Sequence, residues 1–161
     1  MFINNLLTGD IPRRLIIGFV KATAFSGHYI DNPFNFQHYN VSSIELRVGG
    51  REITPLKMDF ANSNYGMAYM YFLTGIGLDN CNKGIWISYK EFSEGNCLFI
   101  FDLTPDGCDT DAMGLIRSGT VNVKLTFNEN LAEPNGIEMI SYAEFDGLTE
   151  IDINRSVHTD Y

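Results

Sequence analysis

Residues 137–153 read IEMISYAEFDGLTEIDI, and this stretch constrains the fold more than any other. Ile137, Met139, Ser141, Ala143 and Phe145 share one face of an extended backbone, and Glu138, Ile140, Tyr142 and Glu144 share the other. A period of two, rich in Ile, Tyr and Phe, marks a long half-buried β-strand. Gly147 permits a bend or bulge, after which Leu148, Glu150 and Asp152 alternate with Thr149, Ile151 and Ile153. A long exposed ladder invites aggregation, so the expectation is a central strand of an antiparallel β-sandwich.

The rest of the chain supplies the partners. Residues 15–20 are an apolar run around Gly18, the pattern of a strand covered on both faces, and Pro12 lies where a missing donor is tolerated. Residues 41–48 and 51–54 flank Gly49-Gly50, a tight hairpin signal because both glycines accept positive φ. Ile44, Leu46 and Val48 are expected to face inward, and Glu45 and Arg47 outward. Residues 97–103 and 121–127 read as two more strands, the second with strict alternation. Residues 4–9 read as a turn region.

Helical signals sit in the connections. Ala61, Tyr65, Ala68, Tyr69 and Phe72 recur at three and four residues, predicting a helix over 59–73 capped by Asp59 or Asn62 and ended by Gly75. Ser88 with Glu91 has capping-box spacing. Residues 109–117 resemble a short helix, acidic first and basic last, stopped by Gly119. Six to eight strands, irregular spacing and one or two short inserted helices define an all-β fold, an antiparallel β-sandwich of Greek-key or jelly-roll type forming one domain over residues 1–161.

Composition narrows the function. A net charge of −9 argues against direct nucleic-acid binding, which rests on clustered Lys and Arg. No apolar run approaches the length of a membrane-spanning helix. The odd cysteine count (Cys81, Cys97, Cys108) favours reduced thiols over a disulfide framework or zinc site. His28, His38 and His158 fall in no ligand motif; His28 with Asp31, and His38, read as loop hydrogen-bonders. Residues 106–111 have the acidic density of a calcium loop without its remaining ligands. Nucleophile motifs and phosphate loops are absent, and Glu144 and Asp146 read as a solvated face. Trp86 is expected in the core. These readings predict no catalytic residues, metal or cofactor, and a structural or binding role. The long connection 22–40 carries Phe25, Tyr29, Phe34, Phe36 and Tyr39, too many aromatics for a solvated loop. They either plug one end of the sandwich or form a subunit interface, where aromatics are enriched. A lectin-like module, with Trp86, Tyr89, Asn80 and Asn82 as a sugar platform, and a degenerate cupin-type enzyme are the competing readings.

Four motifs, in order, carry a resemblance. They are Pro12-Arg13-Arg14 with 16–20; Asn32-Pro33-Phe34-Asn35-Phe36 with His38-Tyr39-Asn40; residues 101–106; and residues 142–146 with Glu150-Ile151-Asp152, Asn154-Arg155 and Asp160-Tyr161. Together the chain resembles the C-terminal part of the major capsid (hexon-like, double jelly-roll) proteins of Polinton/Maverick transposable elements and adintoviruses. The resemblance implies a viral jelly roll, the second of two in a longer protein, which self-associates into a trimeric capsomer and joins other capsid subunits in a virion shell assembled inside the host cell.

Overall fold

In the computed structural model the chain forms two packed antiparallel sheets with short helices in the connections, and residues 1–78, 84, 86–104, 117–129 and 133–160 are described. The elements are β1 (Phe2–Asp10), β2 (Arg14–Lys21), α1 (Ala22–Phe25), β3 (Val41–Val48), β4 (Arg51–Glu52), β5 (Leu56–Lys57), α2 (Gly66–Gly75), α3 (Tyr89–Ser93), β6 (Leu98–Asp102), β7 (Ser118–Phe127), β8 (Ile137–Glu144), β9 (Leu148–Ile151) and β10 (Val157–Asp160). One sheet has the order β1-β7-β3-β4, with β5 also pairing β3; the other is β6-β2-β8; β9 and β10 form a separate pair. The first strand pairs with the seventh and the second with the sixth, while β3 also pairs with β7 and β8 with β2. The fold is an all-β antiparallel sandwich.

The core lies where the inward faces of the two sheets meet. Leu15, Ile17 and Phe19 of β2, Ile44 and Leu46 of β3, Phe99 of β6 and Val121, Val123 and Leu125 of β7 are at most 1% exposed. Phe19 joins the layers, its ring 6.1 Å from Phe99 within its own sheet and 5.9 Å, edge-on, from Phe127 of the other. The alternation read in β3 holds: Ile44, Leu46 and Val48 are buried and Arg47 is exposed. Gly49 and Gly50 take φ of 54° and 81°, placing Val48 opposite Arg51.

Two expectations are overturned. Residues 137–153 are not one central strand: β8 pairs with β2 alone and stands at the margin of its sheet among the described residues, while β9 belongs to a separate hairpin. The central place goes to β2, whose apolar run is buried on both faces; β8, with Ile137, Met139 and Ala143 on the core and Tyr142 62% exposed, needs cover on one face only. Residues 4–9 are not a turn but part of β1, paired antiparallel to β7. The register slips between Ile3 and Leu7, with Asn5 at φ 55° and its N–H donating to Asn122 Oδ1 (2.8 Å), and this bulge erases the period of two. Gly119 lies within β7, opposite Gly9; the short helix read over 109–117 falls, apart from Arg117, outside the described residues.

The helix predicted over 59–73 spans Gly66–Gly75. Asp59 does not cap it, because its backbone pairs with Asn64 (both bonds 2.8 Å) and its carboxylate accepts from Asn62 Nδ2 (2.7 Å), closing a turn ahead of the helix. α3 has the capping box as read: the Glu91 N–H donates to Ser88 Oγ (3.3 Å), and the Ser88 N–H to Glu91 Oε2 (2.8 Å).

Candidate functional site

Loop 22–40 is where the sequence places a function, and it divides in two. Phe36 and Tyr39 are half-buried against the body of the protein. Phe36 bridges to Asn96, its N–H donating to Gly95 O (2.9 Å) while its carbonyl accepts from Cys97 N–H (3.0 Å). Its ring lies over Gly18, where a Cβ would stand 2.7 Å from it and 2.9 Å from the Leu98 side chain, so the glycine in β2 is the seat of this plug. Tyr39 sits at φ 44° with its hydroxyl buried. Burial first, then the carboxylates of Glu133 and Asp31, raises its pKa. Phe25, Tyr29 and Phe34 turn outward, 63%, 100% and 76% exposed, with Ile30 at 83%. The loop is therefore plug at one end and uncovered apolar surface at the other.

The outward part is nevertheless held. Thr23 Oγ1 donates to Asp31 Oδ2 (2.6 Å), the His28 imidazole lies 3.3 Å from the same oxygen, and the Phe34 N–H donates to Asn32 Oδ1 (3.0 Å). An apolar surface presented by an ordered loop is suited to contact. Replacing Phe36 with Ser is expected to strip the ring from Gly18 and lower the melting temperature, whereas Phe34→Ser, at a side chain 76% exposed, leaves it unchanged. Thermal scans of the two variants side by side check the division, and equal melting temperatures refute it.

Beneath the loop lies a feature that the sequence reading missed. Four rings from four segments stack in a row: His38 on Phe60 (centroids 4.0 Å, 5° between planes), Phe60 on Tyr65 (4.9 Å, 15°) and Tyr65 on Tyr89 (4.2 Å, 9°). Tyr69, Phe72 and Phe92 close around it, Phe92 with no exposed surface. The hydroxyls anchor the backbone: Tyr89 donates to Ser63 O (2.7 Å), Tyr69 to Ile87 O (2.9 Å) and Tyr65 to Tyr89 O (3.3 Å). No period links residues 38, 60, 65 and 89; the only signal was the surplus of aromatics in irregular segments. Ile87 packs against the core, which leaves its neighbour Trp86 on the outside at 98% exposure, not in the core as expected.

His38 makes this stack sensitive to acid. Its Nδ1 accepts the Asn40 N–H (3.0 Å), a bond only the neutral ring makes, and burial lowers its pKa below 6.5. Once the pH drops below about 6.5 the unfolded chain takes up a proton that folded His38 still refuses, so stability is full above that pH and declines below it. The slope of unfolding free energy between pH 7 and 5 is expected to be steeper in the native chain than in His38→Gln; parallel slopes rule this out.

The remaining candidates carry less. Among the described residues no three His, Cys, Asp or Glu side chains gather as metal ligands would, and no helix is long and apolar enough to cross a membrane. Cys97 is a buried free thiol whose pKa burial pushes up. Cys81, Cys108, Asn80, Asn82 and the acidic run 106–111 lie outside the described residues.

Fold and surface together define a class, a small antiparallel β-sandwich with uncovered apolar loops. The chain is 32% identical over 160 residues to an uncharacterized protein of Caenorhabditis elegans, a match covering 95% of this chain and 37% of that protein. It thus spans about 37% of the length of that relative. No family model matches the chain, and no solved structure matches it.

Proposed function

We propose that the protein is a structural, non-enzymatic component: a jelly-roll building block of an icosahedral viral or virus-like capsid of the Polinton/adintovirus type. It works by contact with copies of itself and with other capsid subunits, in a shell built inside the host cell. The observation that carries this reading is the exposure of Phe25, Tyr29, Ile30 and Phe34 on a tethered loop of an otherwise well-packed sandwich. Large apolar side chains held in place at the surface mark contact sites, and repeated contact is what a shell subunit requires. The four sequence motifs point the same way.

Light scattering on concentrated protein, followed by negative-stain microscopy, tests it. Discrete oligomers of capsomer size are expected, and a chain monomeric up to its solubility limit counts against the proposal. The second reading, a glycan-binding module, draws on Trp86, 98% exposed and three residues before Tyr89. A glycan array without hits removes it.

A further inference from the structure

Among the described residues the hairpin of β9 and β10 is paired only with itself. Every described side chain from Thr149 to His158 is exposed, and the pair is a sheet of its own. An isolated two-stranded hairpin is marginal in water. Its register is nonetheless regular and its faces differ. Ile151 lies opposite Val157 and Thr149 opposite Thr159 on one face, Glu150 opposite His158 and Leu148 opposite Asp160 on the other. Asp152 closes the turn, its Oδ1 accepting the Ser156 N–H (2.8 Å) and its carbonyl the Arg155 N–H (2.9 Å). Ile151, Val157 and the turn residue Ile153 are 71%, 61% and 98% exposed. Ile151, Val157 and Ile153 thus give the arm an uncovered apolar face.

The arm and the aromatic loop sit at opposite ends of one sheet. β2 and β8 pair antiparallel from Arg14 opposite Glu144 to Lys21 opposite Ile137. The loop leaves from the Lys21 end and the arm from the Glu144 end, separated by the length of an eight-residue strand, roughly 25 Å. The two apolar features therefore do not cover each other within one molecule, whereas copies placed end to end bring them together. The loop end also has a recess. A cleft of about 320 Å³ lined by Ala22, Thr23, Ser26, Gly27, His28 and Asn135 opens there, and Ile153 is the projecting side chain at the tip of the arm.

We infer that the occupant of the arm's apolar face is a second copy of this chain: residues 148–160 of one molecule dock on Phe25, Tyr29, Ile30 and Phe34 of the next, with Ile153 in the cleft. This deepens the shell-subunit reading and rests on it. The contact is head-to-tail, so repetition closes a ring or extends a chain. The area fits a weak contact: aromatic side chains bury about 150–250 Å² each, so the two apolar surfaces offer on the order of 1,000 Å² together, the lower limit for a specific interface.

Two variants of the 161-residue chain test it by sedimentation: Phe25→Ser/Phe34→Ser, with the loop disabled, and Ile151→Ser/Val157→Ser, with the arm disabled. Each alone is expected to lose self-association by tenfold or more with an unchanged far-ultraviolet spectrum. Mixed, they are expected to form a 1:1 dimer that grows no further, because each supplies the surface the other lacks. A mixture that stays monomeric, or variants that associate as the native chain does, overturns the pairing. If the variants still form the native oligomers, the shell reading survives and the pairing alone falls; a native chain monomeric throughout sinks both.

Discussion

Replacing Phe92 with alanine is expected to destabilise the protein by about 3–5 kcal/mol. Phe92 has no exposed surface, and its ring centroid lies 5.4 Å from Phe72, 5.6 Å from Tyr69 and 6.2 Å from Tyr65. Truncation removes a whole ring from the point where α2 and α3 meet. The surrounding rings cannot collapse into the gap, because hydroxyl bonds hold two of them: Tyr65 to Ser93 Oγ (3.3 Å) and Tyr69 to Ile87 O (2.9 Å). For a domain of this size the loss corresponds to a fall in melting temperature on the order of 10 °C. Denaturant unfolding should show a lower midpoint at unchanged slope. A loss below about 1 kcal/mol, outside the range for a buried aromatic truncation, would mean that these rings do not pack as a unit.

The second large effect is expected at Gly75, and its sign is opposite to intuition. In a solvated helix Gly→Ala gains about 1 kcal/mol. Here a Cβ on Gly75 would overlap the Ile100 side chain, because the last turn of α2 lies directly against β6. Gly75→Ala is therefore expected to lose about 1–3 kcal/mol through overpacking. Ile100, 2% exposed, is the group that must yield. Ile100→Ala alone opens a cavity and costs about 2–5 kcal/mol. In the double variant the alanine methyl enters that space, so the combined loss should fall short of the sum of the single losses by about 1 kcal/mol or more. Strict additivity would show that the two residues do not touch.

These effects sit in the part of the fold that was hardest to read in advance. The strands of the core were legible because their burial repeats with the pleat: β3 and β7 alternate residue by residue, and β2 is apolar on both faces. The Gly49-Gly50 turn and the Ser88–Glu91 capping box were legible because each is a local geometry that few residue types satisfy. The start of α2 was misread because Asp59 and Asn62 suit a cap and a closed turn equally well, and the pairing of Asp59 with Asn64 decided between them. β1 was hidden by a bulge. Of the five aromatics proposed for an interface, the sequence had no means of sorting Phe36 and Tyr39, which turn in, from Phe25, Tyr29 and Phe34, which turn out. For Phe36 that sorting depends on Gly18, a residue of β2.

By itself the sequence determined the class of fold, because alternation and glycine turns act over a few neighbouring residues and dictate which segments extend and which face is apolar. Only the tertiary structure decided which strand is central, which aromatics are left uncovered and how four distant rings stack in one row. Those outcomes depend on contacts between residues far apart in the chain, and no local pattern encodes them.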